Sequence, residues 1–152
     1  MQESRTLVVM STTTATGPGV FTDFVNIPRP ATAATFLATV TSGSGTLTLV
    51  IQRGIRLAQP GDTTVGRAVT TTNNADILWF DYAAFTSTTT TGRRFLPLVY
   101  TSTVSDSRVT TTANMTANYQ LGGSIGTLFR GAYNVTGASP TFTFDVVGEF
   151  EF

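Results

Sequence analysis

The sequence predicts an all-β protein, an antiparallel β-sandwich of about eight strands. Three observations carry that expectation: apolar residues recur with a period of two, turn formers punctuate the chain at short intervals, and threonine is abundant. A β-branched threonine is stiff at χ1, fits a pleated surface, and lets that surface face water without charge. Strand patterns do not alternate with helical ones, so a jelly roll is one natural arrangement for this number of strands.

The first element is the short apolar piece from Arg5 to Met10. The following Ser11 to Gly19 contains Thr12-Thr13-Thr14 and Gly17-Pro18-Gly19 and reads as a flexible spacer. Residues 1–19 are therefore expected to form a short N-terminal arm and its tether, and residues 20–152 the sandwich domain. Leu7, Val8 and Val9 are too apolar to leave in water, and they pair either with a neighbouring subunit or with the edge of their own sheet.

A strand is expected from Val20 to Ile27. Ala31 to Ala38 has only a weak helical claim, because its threonines and the preceding Pro28 and Pro30 oppose it. Ala34 to Thr41 and Gly45 to Arg53 flank Ser42-Gly43-Ser44-Gly45, the pattern of a hairpin. Further strands are expected at Ile77 to Phe85, Phe95 to Thr101 and Arg108 to Tyr119. Thr127 to Val135 and Thr141 to Phe152 flank Thr136-Gly137-Ala138-Ser139-Pro140 and read as a second hairpin. The runs Thr70-Thr71-Thr72, Thr88 to Thr91 and Thr110-Thr111-Thr112 are read as strand material, with low-complexity linkers as the alternative.

The last strand is the clearest. Phe142, Phe144, Val146, Phe150 and Phe152 occupy even positions, with Thr141, Thr143, Asp145, Glu149 and Glu151 between them. Successive side chains of a strand point to opposite faces, so one face is aromatic and apolar and the other largely polar and acidic. Gly148 falls on the apolar face and marks a bulge or a close backbone approach. A terminus carrying Phe150 and Phe152 frays unless it docks in the core or against a neighbour.

The chemistry of the chain is defined by absences. It contains no lysine, histidine or cysteine, so its nine basic residues are all arginine. Without them there is no near-neutral base, no thiolate or amine nucleophile, no disulfide framework and no thiolate zinc site. A Ser/His/Asp arrangement is excluded, and no G-x-S-x-G elbow occurs. Glu149 and Glu151 could form an acid/base pair, but on one strand face a solvated edge explains them better. Gly61-Asp62, Asp76 and Asp81 lack the D-x-D-x-D-G calcium pattern and read as turn caps. Gly17-Pro18-Gly19 and Gly122-Gly123-Ser124-Ile125-Gly126 lack the ending of a phosphate loop. No catalytic residue, metal site or cofactor is expected, and the chain is not read as an enzyme.

Only 12% of residues are charged, 41% are hydrophobic, and the formal net charge is zero. That balance removes the broad attraction on which nucleic-acid and anionic-membrane binding depend, so neither partner is expected. It also favours association. Leu7-Val8-Val9-Met10 is too short for a signal-peptide core, and no apolar run approaches the roughly 18 residues of a membrane span. Synthesis in the cytoplasm is expected, which makes the sequons Asn114-Met115-Thr116 and Asn134-Val135-Thr136 coincidental.

Two clusters remain. Ile77 to Phe85, with Trp79, Phe80 and Tyr82, is either a strand buried on both faces or a platform for stacking on sugars. Apolar residues on both parities favour the buried strand. Arg93-Arg94 reads as a solvated strand end, with interface salt bridges as the alternative use of the arginine fork.

The succession from Ala34 to Gln52, with Gly137-Ala138-Ser139-Pro140-Thr141-Phe142-Thr143-Phe144-Asp145-Val146, resembles the small β-sandwich virion proteins of tailed bacteriophages. The likeness spans Val20 to Phe152, is one of style and strand order, and contains no diagnostic motif. It implies a capsid decoration or cement protein, or another minor head or tail component, located in the virion and made in the host cytoplasm. It further implies contact with a major capsid or other virion protein and a homo-oligomer, with a trimer slightly favoured. The expected interface residues are Leu7, Val8, Val9, Arg93, Arg94, Phe150 and Phe152. The rival reading is a carbohydrate-binding sandwich module or a phage fibre domain.

Overall fold

The computed structural model describes residues 3–56, 77–99 and 125–152, and within them every regular element is a strand. The strands are β1 (Ser4–Ala15), β2 (Gly19–Val20), β3 (Val25–Asn26), β4 (Ala33–Arg56), β5 (Ile77–Ala84), β6 (Gly92–Val99) and β7 (Leu128–Glu151). All pairings are antiparallel, and the seven belong to one hydrogen-bonded sheet.

That sheet folds into a sandwich because its two longest strands bend. Phe129 and Phe150 lie on the same strand, yet their ring centroids are 5.3 Å apart. At about 3.3 Å per residue a straight strand would separate them by about 70 Å. The bend lies where Ser44 pairs with Thr141 and Thr46 with Thr136, which leaves Gly45 facing the extra residues 137–140. Gly45 and Gly137 have φ of 94° and 139°, and a Cβ on Gly137 would stand 3.1 Å from the Gly45 Cα. Only glycine combines that backbone with that approach. Both corners turn together.

The two expected hairpins are therefore corrected. The halves of β4 do not bond each other, and neither do those of β7; each half of one strand bonds a half of the other. With the long strands counted as two segments each and β2 and β3 as one, the described residues present eight: residues 4–15, 19–26, 33–44, 46–56, 77–84, 92–99, 128–136 and 141–151. The first pairs with the eighth, the second with the seventh, the third with the sixth and the fourth with the fifth. This is a long antiparallel ribbon. Rolling it up adds the pairing of the third with the eighth and of the fourth with the seventh. The result is the jelly-roll arrangement. One layer runs β1, late β7, early β4, β6; the other runs β2 and β3, early β7, late β4, β5.

The core lies between these layers. Phe36, Phe144 and Phe150 from the first meet Phe129 and Tyr133 from the second, with Phe36 edge-on to Phe150 at 5.6 Å. Gly148 realises the close approach, since a Cβ there would stand 3.0 Å from the Phe36 ring and 3.1 Å from Phe150.

The N-terminal arm is also corrected. β1 runs antiparallel to β7 from Ser4 opposite Glu151 to Ala15 opposite Phe142, and Val9, Met10 and Ala15 are buried in the core. Register shifts after Val8 and after Met10 let the strand follow its neighbour's curvature. Thr12-Thr13-Thr14 is strand, with a Thr14 to Thr143 hydroxyl bond of 2.8 Å. The Val20 to Ile27 strand shortens to β2 and β3, and early β4 takes the place of the weak helix. Thr88 is buried and bridges to Leu47, so that threonine run is not a loose linker. The expected strand Arg108 to Tyr119, the runs at Thr70 and Thr110, Gly61-Asp62, Asp76 and Gly122 to Ser124 lie outside the described residues.

Candidate functional site

The outward faces of the two layers differ. On the second layer Val50, Ala84 and Ala132 are fully buried on the face turned away from the core. On that face Gln52 Nε2 donates to Asp81 Oδ1 at 2.7 Å, and Arg130 Nε donates to Gln52 Oε1 at 2.8 Å. Burial lowers the Arg130 pKa, opposed by the neighbouring Asp81 carboxylate. The guanidinium lies 4.7 Å over Trp79, which is only 5% exposed and packs against Ile77, Leu128 and Phe24. Trp79 is a packed residue on a closed face.

The outward face of the first layer is open, and the pairing register arranges its side chains in rows across four strands. Val8 stands opposite Val147, Val147 opposite Leu37, and Leu37 opposite Phe95. Directly opposed residues of an antiparallel pair share a face, so these form one continuous apolar row. Phe95 is 70% exposed and Val8 62%, while Leu37 and Val147 are half-buried. The row on one side contains Thr6, Glu149, Thr35 and Pro97, and the row on the other Asp145, Thr39 and Arg93. Scattered apolar residues are ordinary on a surface, but a contiguous band rimmed by polar groups marks an interaction site.

The β1 register shift shapes one end of this row. The strand slips between Val8 and Met10, and beside the slip lies an open depression of about 290 Å³ lined by Val8, Met10, Ser11, Thr12, Asp145 and Val147. Phe95 stands at the opposite end. Arg93 and Asp145 have no ion-pair partner among the described residues.

Of the seven residues expected at an interface, the structure brings Val8 and Arg93 to this face. Val9 and Phe150 are buried in the protomer's own core, and Leu7 packs against it, so these three are corrected as interface residues. Arg94 points to the other side of β6, where its guanidinium donates to the Thr88 and Thr90 hydroxyls and pins the preceding loop. Phe152 is half-buried; its backbone N–H donates to the Glu3 carbonyl at 2.9 Å, and Arg29 lies 5.4 Å over its ring. Leu37, Phe95, Asp145 and Val147 were not anticipated. Val147 is the one apolar residue at an odd position of the final alternation, and Leu37 breaks the same parity between Phe36 and Ala38.

Among the described residues no three His, Cys, Asp or Glu side chains gather as metal ligands. No family model, no curated protein and no solved structure matches the chain.

Proposed function

We propose that this chain is a structural component of a virion, a capsid decoration or cement protein or another minor head or tail protein, made in the host cytoplasm. It works by burying the open face of its first layer against neighbouring subunits, its own or those of a major capsid protein. The observation that carries this reading is the outward-facing apolar row Val8, Val147, Leu37 and Phe95, exposed at both its ends, on a chain with little charge and zero net charge. A row of this kind suits burial against a protein surface and supplies no reacting group. The residue types absent from the chain weigh the same way, since no lysine, histidine or cysteine is available for acid/base or nucleophilic work.

A jelly roll serves capsid and lectin domains alike, so the fold does not choose between assembly and sugar binding. The burial of Trp79 counts against the sugar platform. Hydroxyl-radical footprinting of Phe95 tests the assembly reading. The ring should react strongly in the dilute free chain and be shielded in particles that carry the protein. Absence of the chain from purified particles, or equal Phe95 reactivity in both states, overturns it.

A further inference from the structure

We infer that this face binds a second copy of the chain about a two-fold axis running along the strands, each Phe95 seating in the other copy's depression beside Val8. The inference rests on the assembly reading above and names the occupant of the same face. Its geometry follows from the register. A two-fold axis along the strands reverses the order of strands but keeps each row on itself, so β6 lies over the partner's β1 and early β4 over the partner's late β7. Phe95 then falls on the end of the row that carries the depression, and Leu37 falls opposite the partner's Val147. One row further, Arg93 arrives at the β1 slip next to the partner's Asp145, which lines that depression. Two knobs, two hollows and two opposite-charge pairs are satisfied by one operation, as an isologous interface requires.

The competing two-fold, with its axis along the rows, fails on charge. It places Asp145 directly over the partner's Glu149, an unfavourable like-charge opposition, and Phe95 over its own copy rather than the hollow. With the axis along the strands, Glu149 faces the partner's Thr35 instead. A three-fold arrangement requires two different patches and makes no use of this self-complementarity. The pair therefore replaces the trimer as the expected unit. Four strands about 4.8 Å apart and about 27 Å long give a face of about 500 Å² in projection. That is comparable with the ~800 Å² of accessible surface each partner buries in a standard interface.

Sedimentation of the full chain from about 1 to 200 µM tests the pair. The wild type should pass from monomer to dimer within that range. Phe95→Asp removes the two knobs of the dimer, each worth about 30-fold, so the dissociation constant should rise by about 1,000-fold and leave only monomer. Phe95 is mostly exposed, so this variant keeps its fold, which circular dichroism verifies. Arg93→Asp and Asp145→Arg should each weaken the dimer by about tenfold, while the double variant, which restores opposite charges across the axis, should return to within about threefold of wild type. Glu149→Gln should tighten the pair, because the two Glu149 carboxylates lie one strand apart; loss of affinity would instead mean that Glu149 meets an arginine of the other copy, a different docking, and would overturn the inference. A wild-type chain that stays monomeric at 200 µM, a dimer that survives Phe95→Asp, or a double charge variant without rescue each overturns the pair. None of these outcomes decides the assembly reading, which footprinting in particles judges separately.

Discussion

Replacing Phe150 with alanine distinguishes a core strand from a docking strand. The side chain is 0% exposed and touches both layers, with its ring 5.6 Å from Phe36 and 5.3 Å from Phe129. A buried Phe→Ala change costs about 3 to 5 kcal/mol in transfer and cavity terms. The upper half of that range is expected, because sheets wall the site on two sides and limit its collapse. Against about 5 to 15 kcal/mol for a whole domain, the loss is large. At about 2 to 4 °C per kcal/mol for a chain of this size, Tm should fall by roughly 8 to 20 °C. Urea titration gives the energy directly: the midpoint should drop with the slope unchanged. Sedimentation of the folded variant should match the wild type, since Phe150 contributes nothing to the open face. A cost below about 1 kcal/mol together with weakened association would refute the core assignment and return Phe150 to an interface.

Three further outcomes are expected. Trp79→Ala should cost about 3 to 5 kcal/mol, and the wild-type emission should be blue-shifted and indifferent to glycans; a stable variant that has lost sugar affinity would reverse this. Deleting residues 1–10 removes buried Val9 and Met10 and strips late β7 of most of its pairing with β1, leaving only early β4 beside it there, so thermal unfolding should come at least about 10 °C lower or the chain should fail to fold. Unchanged Tm with lost assembly would restore the arm. Gly148→Ala should cost about 1 to 3 kcal/mol by crowding the Phe36 and Phe150 rings, measured by the same urea titration, and a neutral effect would show that the rings have room to move.

What was legible in the sequence follows the reach of each signal. The alternation from Thr141 to Glu151 is local, and it assigned Phe142, Phe144, Val146 and Phe150 to one buried face without knowledge of their partners. The strand at Ile77 to Phe85 was found nearly to its ends for the same reason. The corners at Gly45 and Gly137 were misread because glycine and serine mark a change of direction without giving its plane. A hairpin turns within a sheet; these corners turn between layers, and only the pairing of β4 with β7 along their full length distinguishes the two. Ser11 to Ala15 looked like a tether because threonine suits a strand edge and a linker alike, and its partner lies at the far end of the chain.

The open face was invisible to the sequence for a deeper reason. Its apolar row contains one residue from each of four strands, and no two of them are neighbours in the chain. Shifting any one of those strands by a single residue would turn its contribution inward and break the row. Register is therefore what creates the surface, and the slip in β1 is the feature that sets it. Before the slip Val8 faces outward opposite Val147; after it Met10 faces inward opposite Val146 and is fully buried. Val9 is taken up in the slip and buried with Met10, so two apolar side chains enter the core in succession where strict alternation would allow one. The same irregularity leaves the depression beside Asp145. A variant that removes the slip, deletion of Val9, should force regular pairing through this region. If the slip makes the docking surface, that deletion should destroy both the hollow and the dimer even where the chain still folds. A folded Val9 deletion with undiminished dimerisation would show that Phe95 seats elsewhere.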